Sequence, residues 1–449
     1  MTVPDAVHRF ALHRIRETES VVTDRLMSHF ILPLSSPAAA DAECVGPKAA
    51  NLARLRQAGL PTPGGFCITA DAYHRQIQHL DLTDALRAFA EADQTTQRRL
   101  SVEIRLALYQ SDLAPDLLAD ILSAWWGAPK PAAVRSSALI EDRAGSNFAG
   151  QFESFLGLAG DAEFLTALRA CWAALWTTNA RRSMAQHDLA PSDTAMAVLV
   201  QPLIAARASG GGLSETAEGQ MLLSATWGLG STIAQGEVVP DRVVLSRQGF
   251  VRKNEAGRKD HREACLHGAG TAAQAVPADL ARAPCLQAGE ATALGRLMRK
   301  AEDILGHAVE IEWALDHEGF KLLQARPLHV AEPHVPDEIW LKHPGLNGHP
   351  AGIGWGSGRA VVVNCECELS RVAPGDVLVT RVAGPALSHI LPRVAGVVAE
   401  LGGSTSHLAS LARERGIPMV LGVNEATARI PDGAQVAVDG VAGIVRWHA

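Results

Sequence analysis

Val309-Glu310-Ile311-Glu312-Trp313-Ala314-Leu315 and Phe320-Lys321-Leu322-Leu323-Gln324, separated by Asp316-His317-Glu318-Gly319, read as the two strands of a β-hairpin. Alternation along the first strand puts Glu310 and Glu312 on one face. The return strand brings Gln324, and two residues on Arg326, alongside with the same spacing. Two carboxylates and an amide oxygen make a hard-oxygen site suited to Mg²⁺, and a neighbouring guanidinium suits the phosphate oxygens such a metal bridges. The other reading of the same residues is a salt bridge across a solvent-facing hairpin.

Upstream, apolar residues at spacing three to four predict helices around 48–58, 83–110, 161–188 and 287–305. Strand signals lie at 197–203, 219–225 and 242–246. The stretch 253–285, rich in Gly, Ala and charge, reads as loop. Downstream, 329–352 holds Pro333, Pro336, Pro344 and Pro350 with His329, His334, His343 and His349, the composition of a linker with solvated histidines. Beyond it, strands near 359–364, 376–380, 395–400, 418–421 and 435–438 and a helix over 406–415 predict a small α/β domain. The expected plan is an N-terminal extension (1–29), a large α/β domain (30–328), a hinge linker (329–351) and a small α/β domain (352–449).

With 449 residues, about 150 per domain predicts two to four domains. Apolar residues are 47% and charged residues 20%, so the chain can bury cores and is not intrinsically disordered. Lys and Arg total 41 against 48 Asp and Glu, a net charge of −7 without a basic block, which argues against nucleic acid and anionic membrane as partners. There is no run of 18 apolar residues and no apolar leader among the first 30, so a cytoplasmic chain is expected. The seven cysteines are read as reduced thiols; Cys365 and Cys367 are the only close pair.

Several polar clusters suit a nucleotide. Gly46-Pro47-Lys48 opens a helix, where backbone N–H groups and a lysine suit a phosphate; taken alone, the motif reads first as a surface lysine at a helix start. Ala133-Val134-Arg135-Ser136-Ser137-Ala138 is an apolar strand ending in polar groups. Ser146-Asn147-Phe148-Ala149-Gly150 is a small-residue loop able to cover phosphates. In the small domain, Gly402-Gly403-Ser404-Thr405-Ser406-His407 leads into a helix, with Ser404 or Thr405 the expected cap. His407 lies in the first turn, where the positive dipole end disfavours the imidazolium and favours an added phosphoryl group. A histidine that merely fills a helix-start position is the alternative.

With these residues assembled, the chain from about 30 to 445 resembles the phosphoenolpyruvate-utilising dikinases: pyruvate, water dikinase (phosphoenolpyruvate synthase), pyruvate phosphate dikinase and rifampin phosphotransferase. Ile311-Glu312-Trp313 with Leu323-Gln324-Ala325-Arg326-Pro327, and Gly402-Gly403-x-x-x-His407 with Ala412-Arg413-Glu414-x-Gly416-Ile417-Pro418, carry the resemblance most strongly. It implies an ATP-grasp-like nucleotide domain joined by a flexible linker to a swivelling β/β/α phosphohistidine domain. On that pattern Lys48, Arg135 and Arg326 contact ATP phosphates, Glu312 and Gln324 hold Mg²⁺, and Gln201 sits near the adenine. The Ser146–Gly150 loop covers the phosphates, and His407 accepts the β-phosphoryl with release of AMP and phosphate. Thr405 matches a position that regulatory kinases modify in some members.

Three positions depart from the pattern. Gly-Gly-Lys is Gly46-Pro47-Lys48; Gly228-Leu229-Gly230 is followed by Ser231 where the family often has Glu; and Ser209-Gly210-Gly211-Gly212 predicts a flexible loop. No acceptor domain like the family's pyruvate-binding barrel is legible before Ala449. The phosphoryl acceptor, pyruvate-like or another small molecule, is therefore expected on a separate subunit or at the domain interface. The alternative is a non-catalytic ATP-binding phosphocarrier or regulatory subunit.

Overall fold

The computed structural model describes residues 29–141, 152, 154–266, 270–330, 340, 342, 343 and 345–448. The extension, the Ser146–Gly150 loop with its two candidate site residues, and the centre of the expected hinge lie outside the described residues.

β1 (Ile31–Pro33), β2 (Phe66–Ile68), β3 (Ala132–Ala138), β4 (Ser154–Leu158) and β5 (Met196–Pro202) form an antiparallel sheet in the order β1-β2-β5-β3-β4. Helices pack on it through Trp125, Phe164, Trp172 and Trp176, with Trp125 and Phe164 stacked at 4.2 Å. The two long helices expected here are each broken. Asp93 caps a restart by accepting from Thr96 N at 2.7 Å, and Thr177 caps another by accepting from Ala180 N at 3.3 Å. The periodicity runs on through both breaks because each pair of helices buries the same side.

β6 (Ala208–Leu213), β7 (Met221–Trp227), β8 (Asp241–Leu245), β9 (Val251–Glu255), β12 (Val309–Asp316) and β13 (Gly319–Pro327) form a second antiparallel sheet, ordered β13-β12-β6-β7-β8-β9. Helix Ala288–Leu305 covers it with Leu294, Met298 and Ala301. The Ser209–Gly212 segment is not a loop but part of β6, a central strand. Its glycines answer close approach: a Cβ on Gly211 would lie 2.6 Å from the Thr405 Cβ of the small domain. The 253–285 stretch is not mainly loop either. It contains the hairpin β10 (His261–Leu266) and β11 (Gly270–Ala275), none of whose residues is fully buried, so no apolar core face marks it in the sequence.

The third sheet comprises β14 (Gly345–Asn347), β15 (His349–Pro350), β16 (Trp355–Val363), β17 (Val377–Thr380), β18 (Gly396–Ala399), β19 (Met419–Leu421), β20 (Gln435–Asp439) and β21 (Ile444–His448). Its order is β14-β21-β20-β16-β17-β18-β19-β15, with β16 to β19 parallel. Val377-Leu378-Val379 and Val397-Val398 are buried on both faces, the composition a parallel strand needs. Helix His407–Arg415 crosses from β18 to β19. Residues 345–350, read as hinge from their prolines and histidines, are edge strands of this sheet, where a proline costs no ladder bond. His349 is accordingly not solvated. Its Nδ1 is buried near Gly403, and burial, with Arg242 and Arg258 nearby, pushes its pKa down to about 4. Cys365 and Cys367 are joined in a disulfide rather than standing as reduced thiols. Among the described residues no helix is long and apolar enough to cross a membrane.

Lys259, inside the stretch read as loop, is fully buried and paired with the buried Asp241. Asp241 also accepts from the Gly257 and Cys285 amides at 2.7 and 2.6 Å. Replacing Lys259 with Met leaves that carboxylate uncompensated. The substitution should lower stability in urea titration by about 3–5 kcal/mol.

Candidate functional site

One cavity of about 390 Å³ opens between the first two sheets, and the small domain closes one side of it. Lys48, Arg135, Gln201, Glu312, Gln324, Arg326 and His407 all line it.

Lys48 reaches the cavity because helix Ala42–Gln57 kinks at Gly46, which has φ 75° and presses so closely on Ser137 that no Cβ fits. Ser137 Oγ donates to Val45 O at 2.7 Å and accepts from Ala49 N at 3.3 Å, tying the kink to β3. Pro47 stands in the first turn of the restarted helix, where an amide hydrogen would have no helical partner, so the departure from Gly-Gly-Lys sacrifices no helical bond. Lys48 Nζ donates to Ser136 O at 2.6 Å and pairs with Glu141 at 3.3 Å. Burial pushes the Glu141 carboxyl up, against the pull of Lys48.

Arg135 joins the two sheets. Its Nη1 donates to Leu323 O at 2.8 Å, and its Nη2 donates both to Glu312 Oε2 at 2.7 Å and to Gln324 Oε1 at 2.8 Å. Glu312 stands directly opposite Gln324 in the hairpin, and Glu310 opposite Arg326, a register set by a bulge between Glu312 and Trp313 that leaves Leu323 as the extra residue. Burial works against ionisation of Glu312, but Arg135, then His407 and Arg326, more than offset it and hold the carboxyl down at about 2. Two hard oxygens, one of them anionic, thus converge on a single donor atom. That arrangement fits Mg²⁺ completed by ligand phosphates. Among the described residues no group of three or more His, Cys, Asp or Glu side chains is placed to hold a metal without such help.

Glu310 does not join this pair, although it shares the face. It is buried in a charge cluster, 3.2 Å from Arg326 Nη2 and 3.0 Å from Arg413 Nη2, and it accepts from Ser410 Oγ at 3.0 Å. Burial opposes its ionisation, and the two arginines prevail, lowering its pKa. Arg413 and Ser410 belong to the helix that begins at His407, so this carboxylate ties the nucleotide-side hairpin to the histidine helix. Arg413 also donates to Ala351 O at 3.2 Å.

His407 is the first residue of its helix, capped not by Ser404 or Thr405 but by Ser406, whose hydroxyl accepts from Ala409 N at 3.2 Å. Burial lowers the pKa of the ring; Glu312 and Glu310 oppose the shift, while Arg326 and Lys48 reinforce it. The imidazole is therefore neutral at neutral pH and faces the cavity. Gln201, at the end of β5, donates to Gly64 O at 3.1 Å and leads into Pro202-Leu203-Ile204, an apolar wall suited to a purine face.

Comparison with known proteins agrees. Residues 42–340 match the pyruvate phosphate dikinase AMP/ATP-binding domain, and 372–443 match the mobile domain of phosphoenolpyruvate-utilising enzymes. The phosphoenolpyruvate synthase of Aeropyrum pernix is 32% identical over 89% of this chain and 56% of its own length. A probable phosphoenolpyruvate synthase of Methanothermobacter thermautotrophicus is 30% identical over 90% of this chain and 61% of its own. The Pseudomonas aeruginosa phosphoenolpyruvate synthase is 30% identical over 92% and 57%. Fold and site together define an α/β chain that pairs a nucleotide-binding domain with a histidine-bearing one. The chain belongs to the pyruvate phosphate dikinase and phosphoenolpyruvate synthase family, and it spans a little over half the length of these curated relatives.

Substituting Glu310 with Gln leaves two buried guanidinium groups without their shared carboxylate. Stability should fall by about 3–5 kcal/mol. In amide hydrogen exchange, segment 400–413 should lose protection more than the first sheet does.

Proposed function

We propose that this chain is an ATP-dependent phosphotransferase of the dikinase type, in which His407 takes the β-phosphoryl of ATP and passes it to a second acceptor. The observation that carries the reading is the presence of a neutral helix-start imidazole in the same cavity as Lys48, Arg135, Arg326 and the Glu312–Gln324 oxygen pair.

Lys48, Arg135 and Arg326 bind and orient the triphosphate, their charges set before the ligand arrives. Glu312 and Gln324 would hold Mg²⁺, which would neutralise phosphate charge. The His407 lone pair attacks the β-phosphorus. A P–N bond forms, the P–O bond to the α-phosphate breaks, and AMP leaves. The imidazole sheds its remaining N–H proton, and water then removes the terminal phosphoryl group as inorganic phosphate. The positive end of the helix favours the charge left on the ring. The small domain then swings on the segment between the domains to an acceptor held on a separate subunit or at the domain interface. The names of the relatives favour a pyruvate-like acceptor.

ATP labelled in the β-phosphate should leave acid-labile label on the wild-type chain and none on His407→Ala; equal labelling of both would reject the scheme. Because burial lowers the folded-state pKa of His407 below the ordinary imidazole value, the acid limb of the initial labelling rate should have its midpoint below that of a free imidazole; a midpoint above it would contradict the neutral-ring reading. Arg135→Ala should slow labelling by about a hundredfold or more. Glu312→Gln removes a charged ligand worth about 1.5–3 kcal/mol, so the Mg²⁺ needed for half-maximal labelling should rise about ten- to a hundredfold. Tight ATP binding with no AMP formed under any condition would instead identify a regulatory subunit.

A further inference from the structure

Ser231 lines the cavity, and its hydroxyl donates to Glu263 Oε2. The other oxygen of that carboxylate accepts from Thr271 Oγ1 at 2.5 Å. Glu263 on β10 stands opposite Ala273, and Thr271 is its diagonal neighbour on β11, both far in sequence from the rest of the site. The hairpin is fixed to both sheets. Leu229 N donates to Glu263 O at 2.8 Å, and Gly228 lies so close to that carbonyl that no Cβ fits. On the other side Gly157 of β4 packs against Gly270. The carboxylate is therefore held by backbone contacts as well as by two hydroxyls.

A serine hydroxyl has one hydrogen. With it committed to Glu263, Ser231 offers only lone pairs to the cavity and acts there as an acceptor. Its position is set relative to the metal pair. Glu312 stands opposite Gly211 in β6, and Ser209 lies two residues further along, about 7 Å. A Cβ on Gly230 would lie 3.5 Å from Ser209 Oγ. Ser231 follows Gly230 and so lies on the Ser209 side of Glu312, displaced along β6 from the metal pair, and Ile233, two residues on, also lines the cavity. A group at that point with a hydrogen to donate is a ribose hydroxyl.

We propose that Ser231, kept as an acceptor by Glu263, reads a ribose hydroxyl of the bound nucleotide, so that the chain selects ribonucleoside over deoxyribonucleoside triphosphates. This rests on the ATP-binding reading above. Ser231 contacts the substrate; Glu263 is a positioning residue acting through it.

The test is calorimetric titration of the full chain with Mg²⁺ and ATP, 2′-deoxy-ATP or 3′-deoxy-ATP. At least one deoxynucleotide should bind the wild type about tenfold more weakly than ATP. In Ser231→Ala the ratio should fall to within about twofold. Glu263→Gln, whose amide can instead donate to Ser231, should give an intermediate ratio with ATP still bound. If Ser231→Ala fails to fold, Glu263→Gln decides: an unchanged ratio overturns the proposal. Equal binding of all three nucleotides by the wild type, or an unchanged ratio in Ser231→Ala, also overturns it while leaving the phosphotransfer reading intact. A wild-type chain that binds no ATP removes that reading and this inference with it.

Discussion

A single buried carboxylate holds the two halves of this molecule in register. Glu310 sits between Arg326 of the nucleotide-side hairpin and Arg413 of the histidine helix. Burying three charged groups is costly, and it is tolerable here because each finds an opposite charge or a hydrogen-bond partner. The same cluster ties cavity-lining Arg326 to the helix that His407 begins. Positioning by a shared charge differs from positioning by apolar contact. It is short-ranged and directional, and it fails when either partner moves by a few ångströms.

Arg135 plays the corresponding part between the first two sheets. Its guanidinium spans from β3 to Leu323, Gln324 and Glu312, so the cavity is closed along its floor by hydrogen bonds rather than by side-chain packing. Polar floors of this kind can exchange partners with an incoming anion, which an apolar floor cannot. The apolar wall at Pro202-Leu203-Ile204 complements it. Together they make a site with one charged end and one greasy end, the polarity of a nucleoside triphosphate.

The strands at 309–316 and 319–327 and the helix from His407 were legible because each is governed by local rules, alternation, turn residues and a glycine pair, although the capping residue itself was not. The same-face spacing of Glu312 and Gln324 followed from alternation, but their direct pairing depends on a bulge between Glu312 and Trp313 that the sequence does not announce. What was illegible depends on long-range closeness. Nothing local distinguishes Glu310 from Glu312, yet one meets Arg413 about a hundred residues away and the other faces the cavity. The glycines of β6 read as flexibility because the approach of Thr405 is invisible in sequence. The β10–β11 hairpin has no fully buried residue and therefore no apolar period. His349 looked solvated among prolines, and it is an edge-strand residue pressed against Gly403. The Ser146–Gly150 loop and the N-terminal extension stand outside the described residues.

The hairpin's two-residue rhythm has a consequence for how such chains can diverge. Adding or deleting one residue within β12 would turn Glu310 and Glu312 to the opposite side together and dismantle both clusters at once. Length changes are therefore confined to the exposed turn at Asp316–Gly319, which can grow or shrink while the strands on either side keep their phase. Drift in this region should accumulate as turn insertions and as substitutions on the outward face, with the inward face travelling through evolution as an indivisible block.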